Sequence, residues 1–218
     1  MRIRRKKWAE KELQEAKFYI NNPEIGYQNT WRSRFKNPNN PLYIEIGCGK
    51  GIFIATLAKE NPDVNFIAID MIEAMLGVSK RNIENVYQDE KIENLFLIRA
   101  NAERIFEIFG EKDKVDRIYI NFCNPWPRKK HKKRRLTHTR QLENYKKFLA
   151  PSAEVYFKTD NTELFEESLE YFKEAGFKEI KKTVDLHSEP IFDKNIETEH
   201  EKMFSQDGIK IKAGIFKI

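Results

Sequence analysis

Short apolar clusters alternate with amphipathic stretches along the chain, the pattern of a parallel sheet whose strands are joined by crossover helices. Residues 42–46, 65–69, 95–98, 117–121 and 154–157 are rich in Ile, Val, Phe and Tyr, which predicts strands. Between them, residues 52–60, 73–85, 103–109 and 140–149 carry apolar positions at helical spacing. Residues 162–175 form a further helix, with Phe165, Leu169 and Phe172 on its core face and Gly176 ending it. After Gly176 the period changes: residues 177–184 and 209–216 alternate more strictly and predict a late antiparallel hairpin. Residues 186–206 between them are polar and irregular, which suggests a functional loop. The chain reads as one domain, residues 39–218, preceded by a basic N-terminal arm, residues 1–38.

Composition sharpens this picture in two places. The net charge of +6 is concentrated: from Arg128 through Lys129, Lys130, His131, Lys132, Lys133 and Arg134 to Arg135 every residue is basic. Without those seven full charges the chain would be slightly acidic, so the run is a patch suited to a polyanion such as RNA. The other informative feature is what the chain lacks. No apolar run approaches the roughly 20 residues of a membrane span. Glu10, Lys11 and Glu12 follow the basic start where a signal peptide needs an apolar stretch. A cytoplasmic protein without membrane contact is expected, with Cys48 and Cys123 both reduced. His138 and His187 have no metal-binding spacing, and no metal is expected.

The first core strand runs into Glu45-Ile46-Gly47-Cys48-Gly49-Lys50-Gly51, and a helix follows. Glycines at such a turn let backbone amides approach a ligand. A phosphate loop needs Ser or Thr after Gly-Lys, but Gly51 and Ile52 stand there; a dinucleotide loop wants its third glycine where Ile52 sits. The remaining candidate is a loop for S-adenosyl-L-methionine, with Glu45 as the acid of the strand end. Asp70 ends the second core strand at the place of a ribose-binding acid. Asn101-Ala102 ends the third, where an amide can meet an adenine ring, and Asn124 follows the fourth. All of these should face one crevice beyond the carboxyl ends of the strands.

After the fourth strand comes Asn121-Phe122-Cys123-Asn124-Pro125-Trp126-Pro127, then the basic run and Leu136-Thr137. Phe157-Lys158-Thr159-Asp160-Asn161 follows the fifth, and Thr198-Glu199-His200-Glu201 lies near the end. With the Glu45 loop and the N-terminal Arg2-Ile3-Arg4, these motifs resemble the bacterial tRNA (guanine-N7-)-methyltransferases over nearly the whole chain. The resemblance implies a Rossmann-like class I methyltransferase: an α/β, mostly parallel, seven-stranded sheet with a C-terminal antiparallel strand. It implies S-adenosyl-L-methionine as cofactor and guanosine 46 of the tRNA variable loop as target. It carries the cofactor contacts onto Glu45, Gly47, Gly49, Asp70, Asn101, Ala102 and Asn124. Substrate contacts fall on Arg128, Asp160, Thr198, Glu199, His200 and Glu201. The RNA backbone falls to Lys129, Lys130, Lys132, Lys133, Arg134 and Arg135.

Two positions depart from the family pattern. His200 replaces a Tyr, and Asn124 replaces the Asp given the catalytic role, for which an amide cannot act as a carboxylate base. Guanine N7 already bears a lone pair, so alignment rather than deprotonation carries the reaction. Asp160, Glu199 and Glu201 are candidates to accept from guanine N1–H and the 2-amino group. Trp126 either stacks on the target base or wedges its loop against the sheet. Two rival readings remain: an amino-group methyltransferase, through the likeness of residues 124–127 to Asn-Pro-Pro-aromatic motifs, and a tRNA-binding homologue impaired in catalysis. The sequence accommodates a monomer or a homodimer.

Overall fold

The computed structural model describes residues 6–23 and 25–218. Its core is a single eight-stranded sheet. The strands are β1 (Tyr19–Asn21), β2 (Leu42–Ile46), β3 (Asn65–Asp70), β4 (Leu95–Arg99), β5 (Val115–Asn121), β6 (Leu149–Thr159), β7 (Lys178–Thr183) and β8 (Lys212–Lys217). They lie in the order β1-β4-β3-β2-β5-β6-β8-β7. The first six pair in parallel; β8 runs antiparallel to both β6 and β7. The hairpin expected at the C-terminus is thus present, with β8 inserted between β6 and β7.

Alternation along each central strand sorts the core into two layers. Leu42, Ile44 and Ile46 of β2 join the cluster beneath α4 (Thr139–Lys146) and α5 (Thr162–Glu174). Phe66 and Ala68 of β3 and Tyr119 of β5 belong to the opposite cluster, with Phe53, Ile54 and Ala55 of α2 (Ile52–Glu60) and Leu76 and Ile83 of α3 (Glu73–Tyr87).

The sheet has one strand more than the seven expected, because the segment before residue 38 is built into it. β1 pairs with β4. Trp31 is fully buried, its Nε1 donating to the Ile108 carbonyl at 2.7 Å. The carboxylate of Asp113 accepts from the amides of Asn29 and Trp31 at 2.8 and 3.0 Å. Helix α1 (Lys7–Glu15) packs on α3 with Ala9 against Gly77, where an added Cβ would stand 2.5 Å from that of Ala9. The arginines at positions 2, 4 and 5 lie outside the described residues.

Besides α1 and β1, the hydrophobic pattern does not predict α6 (Glu199–Gln206), inside the stretch expected to be irregular. Its start is capped by Thr198, whose Oγ1 accepts from the amide of Glu201 at 3.0 Å.

Candidate active site

The chain lays down β2, β3 and β4 in one direction, then returns to place β5 on the other side of β2. This reversal is a topological switch point, where the strands' carboxyl ends leave a crevice. Glu45 of β2 and Asn121 of β5 face each other across it, Asn121 Nδ2 donating to Glu45 Oε1 at 3.0 Å. Both side chains are buried, yet Glu45 Oε2 and Asn121 Oδ1 have no partner. Two adjacent orphaned acceptors call for a ligand that brings N–H or O–H donors. Burial pushes the Glu45 carboxyl up to about 8, against the pull of Asn121 and of the Lys158 charge.

Above this pair runs the glycine turn. Gly47, Gly49 and Gly51 all have positive φ, which folds the backbone tightly before α2 begins. Asp70 supports the turn: its carboxylate accepts from the amides of Gly49 at 3.1 Å and Ile72 at 2.9 Å. Burial raises its pKa, and its remaining lone pairs can still take hydroxyl donors. Next in the chain, Met71 and Ile72 are large apolar side chains left exposed.

Thr198, Glu199 and His200 line the same cleft, which measures about 100 Å³ and also includes Glu45, Gly47, Gly49, Met75, Asn121 and Phe122. Lys50 of the glycine turn reaches across to Glu199 at 3.1 Å. His200 stacks on Phe122, ring centroids 6.0 Å apart. Phe122 and Trp126 both hold positive φ, so the loop after β5 is bent sharply at two non-glycine residues.

The basic run follows as a 3-10 helix over Lys129–Arg134. Arg128, Lys129, Lys130, Lys133 and Arg134 are exposed. Two of the residues expected to meet an RNA backbone do other work. Arg135 is 1% exposed; it donates to the Pro125 carbonyl at 2.7 Å and pairs with Glu167 of α5. Lys132 pairs with Glu163 at 2.9 Å and with Glu167. These contacts pin the run to α5 and leave its other cations facing outward.

Sequence comparison fits this geometry. A family model described as "Putative methyltransferase" matches residues 39–213. The tRNA (guanine-N(7)-)-methyltransferase of Clostridium beijerinckii is 55% identical over 214 residues, covering 97% of this chain and 96% of its own. That of Clostridium perfringens (strain 13 / Type A) is 50% identical over 219 residues, covering 100% and 99%. The chain belongs to the tRNA (guanine-N7-)-methyltransferase family. Its fold is that of methyltransferases. A SAM-dependent methyltransferase from Aquifex aeolicus aligns with TM-score 0.56 at 15% identity, over 96% of this chain and 89% of that one. An antibiotic-related methyltransferase aligns at 0.59 and 18%, over 86% and 89%.

Several residues that the family resemblance points to stand apart from the cleft lining. Asn101 caps the following turn, its Oδ1 accepting from the amide of Glu103 at 2.9 Å, and the Ala102 carbonyl accepts from Gln141. Asn124 is exposed and its Oδ1 accepts from the amide of Trp126 at 3.0 Å. Trp126 stacks on His131, centroids 5.7 Å apart, with Arg134 over the ring. Asp160 is half-buried, its carbonyl taking the Lys212 ammonium at 2.9 Å. Glu201 departs furthest from expectation. It is wholly buried and paired with Lys158 at 2.9 Å, so it has no carboxylate oxygen to offer a base at the surface.

Two further residues matter that motif logic alone does not single out. Asn121 belongs to the motif after the fourth core strand, but only the register of β5 beside β2 shows that it meets Glu45. Lys158 belongs to the Phe157–Asn161 motif but carries no assigned role there; a lysine inside an apolar strand is the signal that marks it. Histidine spacing predicts no metal site, yet His187, Glu197 and Glu201 converge within 4.8 Å. The Lys158 ammonium already supplies the positive charge there.

Proposed function

We propose that the protein transfers the methyl group of S-adenosyl-L-methionine to N7 of a guanosine in tRNA, guanosine 46 of the variable loop, in the cytoplasm. The observation that carries this reading is the buried pair of unpartnered acceptors, Glu45 Oε2 and Asn121 Oδ1, at the switch point beneath the glycine turn. They suit the α-ammonium of the cofactor's methionine part. Asp70 suits its ribose hydroxyls, and Met71 and Ile72 its adenine face. Among the described residues no helix is long and apolar enough to cross a membrane.

When bound, the cofactor supplies an activated methyl on a sulfonium centre, and the protein supplies position and field. N7 needs no base, so the residues around the cleft act by holding the guanine in line. Methylation places positive charge on the ring, which nearby carboxylates stabilise. Glu199 at the cleft and Asp160 at the end of β6 are suited to that role. His200, already stacked on Phe122, offers an aromatic face to the base. Arg128, Lys129, Lys130, Lys133 and Arg134 form the phosphate-facing surface.

The target position is tested by comparing methyl transfer to a tRNA transcript with guanosine 46 and to one carrying adenosine there. Equal transfer to both would overturn the assignment.

A further inference from the structure

Lys158 lies on β6, and its side chain is 4% exposed. A lysine in such a place is costly unless every proton of its ammonium is matched. Here all three are. Nζ donates to Glu201 Oε2 at 2.9 Å, to Asn195 Oδ1 at 2.5 Å and to the Ile196 carbonyl at 3.1 Å. The rings of Phe53 and Phe192 flank the charge at 5.5 and 5.3 Å. Burial nevertheless lowers the Lys158 pKa, against the attraction of Glu201.

Each partner belongs to one stretch of chain. Asn195 and Ile196 sit in the irregular segment that leads to the cleft lip, and Glu201 is in the first turn of α6. Glu201 Oε1 accepts in turn from Asn195 Nδ2 at 2.6 Å and faces His187 Nε2 at 3.3 Å. The Glu201 amide closes the cap on Thr198. One buried ammonium thus gathers both ends of the segment that presents Thr198, Glu199 and His200.

The ion pair at the tip of this segment is of another kind. Lys50 and Glu199 are 48% and 43% exposed, so solvent screens their attraction. The base of the lip is fixed at Glu201, while its tip at Glu199 can yield.

We propose that Lys158 is a positioning residue: through Glu201, Asn195 and Ile196 it fixes the depth and orientation of the Thr198-Glu199-His200 lip over the cofactor cleft. The proposal rests on the reading that this lip meets the target base. Glu201 then acts as the lip's anchor rather than as a contact to guanine.

The test uses the full-length protein with Lys158→Met, Glu201→Gln and the double variant, which removes both buried charges and keeps the test open should either single fail to fold. Each variant that folds should lower kcat/KM for tRNA about a hundredfold, as misplacement of a reacting group does. The Kd for S-adenosyl-L-methionine, measured by calorimetry, should stay within about threefold in Glu201→Gln, which keeps the Lys158 charge that acts on Glu45. The double variant should be no worse than the poorer single, because the pair acts as one unit. Hydrogen exchange of the peptide spanning residues 195–206 should quicken in Lys158→Met while the central strands stay protected. Wild-type kcat/KM in Lys158→Met, multiplicative losses in the double, equal loss of cofactor and tRNA affinity in Glu201→Gln, or unchanged exchange of that peptide would each overturn it. If the wild-type protein transferred no methyl group to tRNA, the functional reading would fall, and the exchange arm would still decide the role of Lys158.

Discussion

Asn121 Nδ2 donates to Glu45 Oε1 at 3.0 Å, joining the last residue of β5 to the acid of β2 across the point where the sheet reverses its order. The bond leaves the other carboxylate oxygen, Glu45 Oε2, and the amide oxygen, Asn121 Oδ1, unmatched. Asn121→Ala should therefore weaken S-adenosyl-L-methionine binding about tenfold, the weight of a hydrogen bond to a charged group. Calorimetric Kd values for the two proteins check this.

The same carboxyl predicts a pH signature. Burial holds Glu45 up at about 8, against an ordinary value of 4.5. Between these values the folded protein keeps a proton that the unfolded chain has lost, so the group destabilises the fold progressively as pH rises through that window. Below about pH 4.5 both states are protonated and the effect vanishes. Glu45→Gln should accordingly gain most in melting temperature near pH 8 and little near pH 5. A cationic ligand group favours the ionised carboxylate, so cofactor binding near pH 7 should release up to about one proton. Binding heats that ignore the buffer's ionisation enthalpy would count against Glu45 as the cofactor's partner.

Gly51 joins the glycine turn to α2 at φ +73°, and a Cβ there would stand 2.0 Å from Ser79 Oγ on α3. Gly51→Ala should cost about 1–3 kcal/mol of stability through overpacking, with a loss of cofactor affinity as the turn shifts. Denaturant unfolding of this variant, of Gly51→Ala with Ser79→Gly, and of Ser79→Gly alone separates the clash from the backbone strain, since the last gives the cost of a glycine inside α3.

The basic run divides into outward and anchored cations, and the two sets should respond differently. Replacing Lys129, Lys130, Lys133 and Arg134 with Ala should weaken tRNA binding and flatten its salt dependence, by a log–log slope of about 0.7–0.9 for each phosphate no longer neutralised. Arg135→Ala should instead lower stability by about 1–3 kcal/mol, because it strips a buried charged donor from Pro125 and Glu167. Filter binding across a salt series and thermal unfolding would distinguish them.

Much of the sheet was legible because β-branched runs bounded by glycine or polar residues leave little choice: β2 and α2 have the bounds their pattern predicts. β6 is longer than its apolar part, since Pro151 and Ser152 stand exposed within it. β1 escaped because three residues make no period; its existence depends on pairing with β4, distant in sequence. Helix α6 carries few apolar residues, but the Thr198-x-x-Glu201 capping pattern was there to be read. The site divided along the same line. Glu45, Gly49 and Asp70 follow from local motif logic. The commitment of Arg135 to Glu167, and of Glu201 to Lys158, depends on acids and bases brought together from over 30 residues away.

Asn124 stands where the family has an acid, with its Oδ1 closing the turn at Trp126. A carboxylate keeps that acceptor, and alanine removes it. Asn124→Asp should stay within about threefold of wild-type turnover, whereas Asn124→Ala should lose about threefold to tenfold, the worth of one hydrogen bond. A large gain in Asn124→Asp would instead mark the natural Asn as a catalytic impairment.

The central claim is methyl transfer to guanine N7 of tRNA. Its most direct test is incubation with labelled S-adenosyl-L-methionine and unmodified tRNA, followed by digestion and nucleoside analysis. Label recovered as N7-methylguanosine is the predicted result. Label in N6-methyladenosine, or none at all while cofactor and tRNA both bind, would contradict the account.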